Sequence, residues 1–289
     1  MRKLIKSLAA AAVFASPLAC DLEKTGNQLQ ADKVMVATIL STPPVELSAL
    51  GLAGLDAGVP LDGDAGVVTV PPQTAAFVFF GEREFRSLDV EPTPVTGATA
   101  SVRAEGAQPV MLEAGEAGTY ALTSAEDEKL EYASGANYLF EVQYGGQTYV
   151  GRVDQAPQLE QIVAFHPSSG YVEHAANTPF TFSRPAAPAN QERNLGFITV
   201  FPVSQSGERG EPTWTNVPHK PLDFLKLVAL PSKWKEDSVT IPASAFPQKD
   251  QTYLVVLQAV KLGGPESHNL FTGSALLAGT AEVGVFRTK

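Results

Sequence analysis

Four histidines, one cysteine, a loop of aspartates and one serine–lysine spacing are the residues here whose types could do chemistry. His166, His174, His219 and His268 are scattered along the chain. A zinc ion needs three or four converging ligands, and these four lack the spacing for it. They read as loop or surface histidines. Asp62-Gly63-Asp64-Ala65-Gly66, with Asp56 nearby, alternates acids beside glycine as part of a calcium loop does. The bidentate Glu that closes such a loop is absent at its required spacing, so the plainer reading is an exposed acidic loop. Asp56, Asp62 and Asp64 stay as a candidate calcium set. Ser232-Lys233-Trp234-Lys235 has the S-x-x-K spacing that can serve a serine nucleophile and its lysine base. The S-D-N and K-T-G motifs that complete such a site are missing. No G-x-S-x-G elbow, phosphate loop or H-E-x-x-H is present. Trp214 and Trp234 have faces that can stack on a sugar, but packing is the simpler use. No residue is assigned a catalytic role, and no cofactor is expected.

Cys20 is the exception. Arg2, Lys3 and Lys6 give a basic start, and Leu8 to Ala15 form a short apolar run. Small residues then lead to Ala19. This is the layout of a secretory signal peptide. A bilayer span needs roughly 20 apolar residues, so the run is too short to be one. The chain has one cysteine, and it stands where cleavage would leave it first. A lone thiol in an exported protein is a reactive leftover unless something consumes it.

Ser16-Pro17-Leu18-Ala19-Cys20 resembles the lipobox of bacterial lipoproteins. The resemblance implies a diacylglyceryl group on the Cys20 sulfur, removal of residues 1–19 and acylation of the new amino terminus. Several acyl chains, at about 0.8 kcal/mol per buried methylene, would hold the protein firmly to a membrane. Asp21 resembles an inner-membrane retention signal of enteric bacteria. Other lineages follow other rules, so inner and outer membrane both stay open. The polar stretch 21–32 reads as a tether.

The mature chain carries a net charge of −13 once Arg2, Lys3 and Lys6 are gone, against −10 for the whole. Residues 21–160 hold 21 acids and 7 bases, a net of −14; residues 161–289 hold 10 acids and 11 bases, a net of +1. An acidic half of this kind repels phosphates, which argues against a nucleic-acid partner. The expected partners are a membrane, through the lipid, and an envelope protein or polysaccharide. No internal disulfide is possible, so the fold must rest on its apolar core. At 44% hydrophobic residues that is feasible. The 24 glycines and 22 prolines are scattered, which suits many short strands joined by turns.

The periodicity supports this. Val34 to Leu40 reads as a first strand and Ala76 to Phe80 as a buried one. Ala98, Ala100, Val102 and Ala104 alternate with Thr99, Ser101 and Arg103, and Tyr120 and Leu122 repeat the period. Residues 124–135 fit a short helix or a strand. Tyr138, Phe140, Val142 and Tyr144 share a face, and Gly145-Gly146 supplies the positive φ of a two-residue hairpin. That register puts Tyr149 beside Val142 and Gly151 opposite Phe140. Later strands are expected at 197–203, around Val239 and Ile241, at 253–259, at 271–277 and at 281–286. Residues 222–230, between Pro221 and Pro231, are apolar on all sides and fit a helix or a strand.

Val95 to Val102, Gly118 to Leu122, Gly135 to Tyr138 and Gly145 to Tyr149 resemble the carboxypeptidase-regulatory-like or transthyretin-like β-sandwich over about sixty residues. Phe180 and Phe182 resemble the opening of immunoglobulin-like or fibronectin-type domains. The expectation is therefore all-β: two tandem β-sandwich domains, 33–155 and 156–289, after a signal peptide (1–19) and a lipidated tether (20–32). The function expected is non-enzymatic, a binding or structural lipoprotein of the cell envelope. The alternatives are a calcium- or carbohydrate-binding accessory protein, or a hydrolase whose site sequence alone does not expose.

Overall fold

The computed structural model describes residues 27–48, 67–84, 90–189, 191–204 and 209–289. The fold is all-β. In chain order the strands are β1 (Lys33–Thr42), β2 (Val45–Ser48), β3 (Val67–Val70), β4 (Gln73–Glu82), β5 (Thr93–Pro94), β6 (Thr99–Ala104), β7 (Val110–Met111), β8 (Glu113–Ala114) and β9 (Thr119–Thr123). They continue with β10 (Tyr138–Tyr144), β11 (Gln147–Val153), β12 (Val172–His174), β13 (Phe180–Ser183), β14 (Leu195–Val203), β15 (Trp214–Thr215), β16 (Ser238–Ile241), β17 (Thr252–Pro265) and β18 (Ala275–Thr288). Helix α1 spans Pro221–Ala229.

One sheet dominates. Its path runs β7-β6-β10-β11-β17-β18-β1-β4-β9-β8. The two ends of this path, β7 and β8, are neighbours in the chain, separated by Leu112 alone. Leu112 is buried and donates its N–H to the Ala100 carbonyl at 2.9 Å. A chain segment that pairs with β6 and then with β9 brings the sheet almost full circle. Closure removes free edges, which otherwise invite pairing with other chains. Inside lies the first core, with Met35, Ile39, Val78, Phe80, Tyr138 and Phe140 among its side chains. Each such large apolar side chain contributes about 1.5–3 kcal/mol when fully buried.

The hairpin read from Gly145-Gly146 is present in the expected register. Phe140 faces Gly151 and Val142 faces Tyr149. Both glycines have positive φ, 58° and 76°, as a two-residue turn matching strand twist requires. Closure has a tighter requirement at Gly263, where β17 meets β11. A Cβ there would lie 1.9 Å from the Arg152 carbonyl oxygen, so only glycine lets the two backbones approach.

The second core lies between β14, β17 and β18 on one side and the small β13–β16 sheet on the other. Phe165, Phe182, Ile198, Val255, Phe246 and Phe286 fill it. Phe182 points inward, 3% exposed, as its alternation with Thr181 and Ser183 implies. Residues 222–230 resolve as helix for nearly their whole length. Pro221 starts α1, where a missing N–H costs nothing, and Leu227 is buried against the outer side of the sheet. Residues 124–135 are turns, neither helix nor strand. Glu126 folds back to accept from the Thr123 N–H and hydroxyl, and the buried Tyr138 hydroxyl accepts from the Ala133 N–H.

The last two strands differ from expectation in length and role. Instead of two short strands at 271–277 and 281–286, β18 is continuous over 14 residues, and β17 matches it. Leu276 and Ala278 of β18 belong to the first core, Phe286 to the second. Tyr253, Val255 and Leu257 of β17 belong to the second, while Gly264 and Pro265 pair with β11. The boundary expected at 155/156 falls just after β11. Most of each core lies on its own side of it, yet the C-terminal hairpin serves both.

Candidate functional site

The segment 154–166 leaves β11, crosses from one core to the other, and meets two buried charges, Arg184 and Glu282. Its start is fixed by backbone and a tyrosine: Ala156 exchanges hydrogen bonds with Gly135 and Ala136, and the Tyr132 hydroxyl donates to the Pro157 carbonyl at 2.7 Å. Glu160 comes next. Its carboxylate takes two bonds from Arg184, from Nε and Nη2, both at 2.8 Å. The Arg184 side chain is 0% exposed and also donates to the Asn194 carbonyl at 3.0 Å. A bidentate pair with its spare donors satisfied is the arrangement in which a buried guanidinium is tolerated.

Two residues further on, the Ile162 N–H donates to Glu282 Oε2 at 2.7 Å, and His166 Nε2 lies 2.6 Å from Glu282 Oε1. Glu282 stands in the middle of β18 with its side chain 4% exposed, whereas that of His166 is 57% exposed. Burial pushes the Glu282 carboxyl above its ordinary value, and nearby Glu160 adds to this. The Ile162 N–H and His166 pull the other way. Val163, 87% exposed, stands beside the pair at the rim of a groove of about 700 Å³. Besides the pair, the groove is lined by Pro43, Leu159, Gln161, Phe165, Pro167 and Val285 among others. What the pair does visibly is tie the crossing segment to β18.

A second constellation fixes the N-terminal approach. Residues 27–30 form a helical turn. Gln28 is buried and donates to the carbonyls of Pro265 and Ser267 at 3.2 and 3.0 Å. Arg83 donates to the carbonyls of Leu29 and Ala31, and its guanidinium lies 3.8 Å over the Phe271 ring. Burial holds the Arg83 pKa below its ordinary value. The last part of the expected tether is thus part of the body.

The residues singled out by sequence fare differently. Cys20, Asp56, Asp62 and Asp64 lie outside the described residues. Among the described residues, no group of three or more His, Cys, Asp or Glu comes together as a metal site. His174 meets the Thr178 carbonyl and the edge of Phe246. Lys235 is bound to Glu192, and only its backbone N–H reaches the Ser232 carbonyl, so the S-x-x-K spacing is a 3-10 turn. Trp234 donates to the Asn216 carbonyl and packs edge-on to Phe197; Trp214 packs on the second core. Sequence reading missed Glu160, Arg184 and Glu282. The signal was there for the last two: Glu282 interrupts an apolar strand, and Arg184 follows the inward Phe182.

No helix among the described residues is long and apolar enough to cross a membrane. No family model and no curated protein matches this sequence, so what is secure is the class: an all-β protein built on one large, nearly closed sheet.

Proposed function

We propose that this chain is a non-enzymatic lipoprotein of a bacterial cell envelope, anchored through lipid on Cys20 and serving as a binding or structural module. The observation that carries this reading is the run Ser16-Pro17-Leu18-Ala19-Cys20 behind a basic, then apolar, start. The clamp on residues 27–32 by Gln28 and Arg83 fixes where an anchored segment would meet the body. Two cores that share the long β17–β18 hairpin suit a stiff module that presents a surface. Its partner in this reading is an envelope protein or polysaccharide. A hydrolase is the second reading, and the Glu282–His166 pair is the feature that favours it.

The test is metabolic labelling with a fatty-acid probe. Wild type should label and partition into detergent, and Cys20→Ser should do neither. An unmodified thiol, or a mature start beyond Cys20, would overturn the reading. Pull-down from detergent-solubilised envelope with the anchored protein then identifies the partner.

A further inference from the structure

We propose that the protein stands upright on its bilayer, with the clamped end of the closed sheet toward the lipid headgroups and the second core pointing away. This orientation rests on the anchor at Cys20 proposed above.

The clamp fixes where the anchoring segment enters. Besides the bonds from Gln28 and Arg83, the Thr272 N–H donates to the Gln28 carbonyl at 3.1 Å, and the Phe271 N–H donates to the Lys33 carbonyl at 2.8 Å. Loop 265–274 is in turn sewn to β11. The Val150 N–H donates to Ser267 Oγ, and the Val150 carbonyl accepts from the N–H groups of Glu266 and Ser267. The entry point, the tip of the β10–β11 hairpin and the start of β18 therefore share one end of the sheet.

Length then decides between the two poles. Gln28 lies eight residues after Cys20, a reach of at most about 28 Å when fully extended. From Ala275, beside the clamp, β18 runs 14 residues to Thr288, about 43 Å at ~3.3 Å per residue. The far end cannot turn to the lipid while Gln28 stays docked, because the anchoring segment is too short to let it. Charge does not choose the pose: lying flat would bring Glu113, Glu126 and Glu128 onto the headgroups, and standing upright brings Asp32, Glu82 and Glu266 there, so the length of the anchoring segment and the apolar rim of the clamped end decide it. The clamped end offers Leu29, 52% exposed, and Tyr144, 37% exposed, side chains suited to the headgroup boundary.

The test uses the full lipidated chain in phosphatidylcholine–phosphatidylglycerol vesicles carrying an energy-transfer acceptor on the headgroups. Cys20 is capped by lipid, so a thiol dye reports only an introduced site. Gln147→Cys marks the hairpin tip. Lys249→Cys marks the far end, where the Asp250 N–H meets the Thr288 carbonyl. Transfer should be several-fold higher from position 147. Equal transfer, or more from 249, overturns the orientation while leaving the anchor intact, provided the vesicles still float with the protein. Failure to float overturns both. Gln28→Ala should narrow the difference between the two sites without changing flotation. An unchanged difference in that variant would show that the clamp does not set the orientation.

Discussion

Glu282 is the residue whose chemistry is most altered by the fold. Its carboxyl sits above its ordinary value because burial outweighs the bonds from Ile162 and His166. A group with a raised folded pKa contributes stability that is fully present below the unfolded value and lost as pH rises through the folded one. Ionised Glu282 is therefore a cost at neutral pH. Glu282→Gln keeps an acceptor for the Ile162 N–H and removes the charge. Chemical denaturation from pH 4 to 7.5, in ~0.5-unit steps, should show the variant gaining on wild type as pH rises above 4.5 and levelling off beyond the raised value. A difference that is flat with pH, or that moves against the variant, would refute the assignment. Other carboxyls behave oppositely. In Glu105, hydrogen bonds from Arg152 and Asn137 hold the pKa low, and in Glu192 the bond to Lys235 does so. These groups favour the fold at neutral pH and lose that effect in acid.

At the scale of elements, the seam between β11 and β17 is as narrow as the β6–β7 and β8–β9 pairings at the ends of the sheet's path. It holds through only two register pairs, Gly151 with Pro265 and Arg152 with Gly264. Gly263 makes the approach possible by having no side chain. Gly263→Ala should cost about 3 kcal/mol in urea unfolding, because overpacking against backbone cannot relax by a rotamer change. A loss under ~0.5 kcal/mol, the scale of an ordinary surface substitution, would mean that the seam is looser than drawn. The β10–β11 hairpin was readable beforehand because its register is local: Gly145-Gly146 and the alternation on either side specify it. The seam was not, because its partners are more than a hundred residues apart and Gly263 looks like any turn glycine. The pairing of Arg184 was not readable either: nothing local marks Glu160, on the crossing segment, as its partner.

For the whole molecule, the shared hairpin makes the two cores mutually dependent. A fragment of residues 33–155 lacks β17, β18 and the side chains of Leu270, Leu276 and Ala278, and its sheet has no neighbour between β11 and β1. It should fail to fold cooperatively, and the intact chain should melt in a single calorimetric transition. Two separate transitions, or a well-folded fragment, would show that each body stands alone. Wild-type unfolding and fragment folding read the same coupling from opposite sides.

Several features were written into the chain locally: the all-β class, most strand positions, the hairpin register and the absence of any disulfide. Period-two alternation and turn glycines act over a few residues, so no tertiary context is needed to read them. The path of the sheet, the pairing of Glu160 with Arg184 and of Glu282 with His166, and the docking of Gln28 came only with the folded molecule. Each joins segments far apart in sequence, and only the assembled core sets which distant backbones come near enough to share a hydrogen bond or a buried charge.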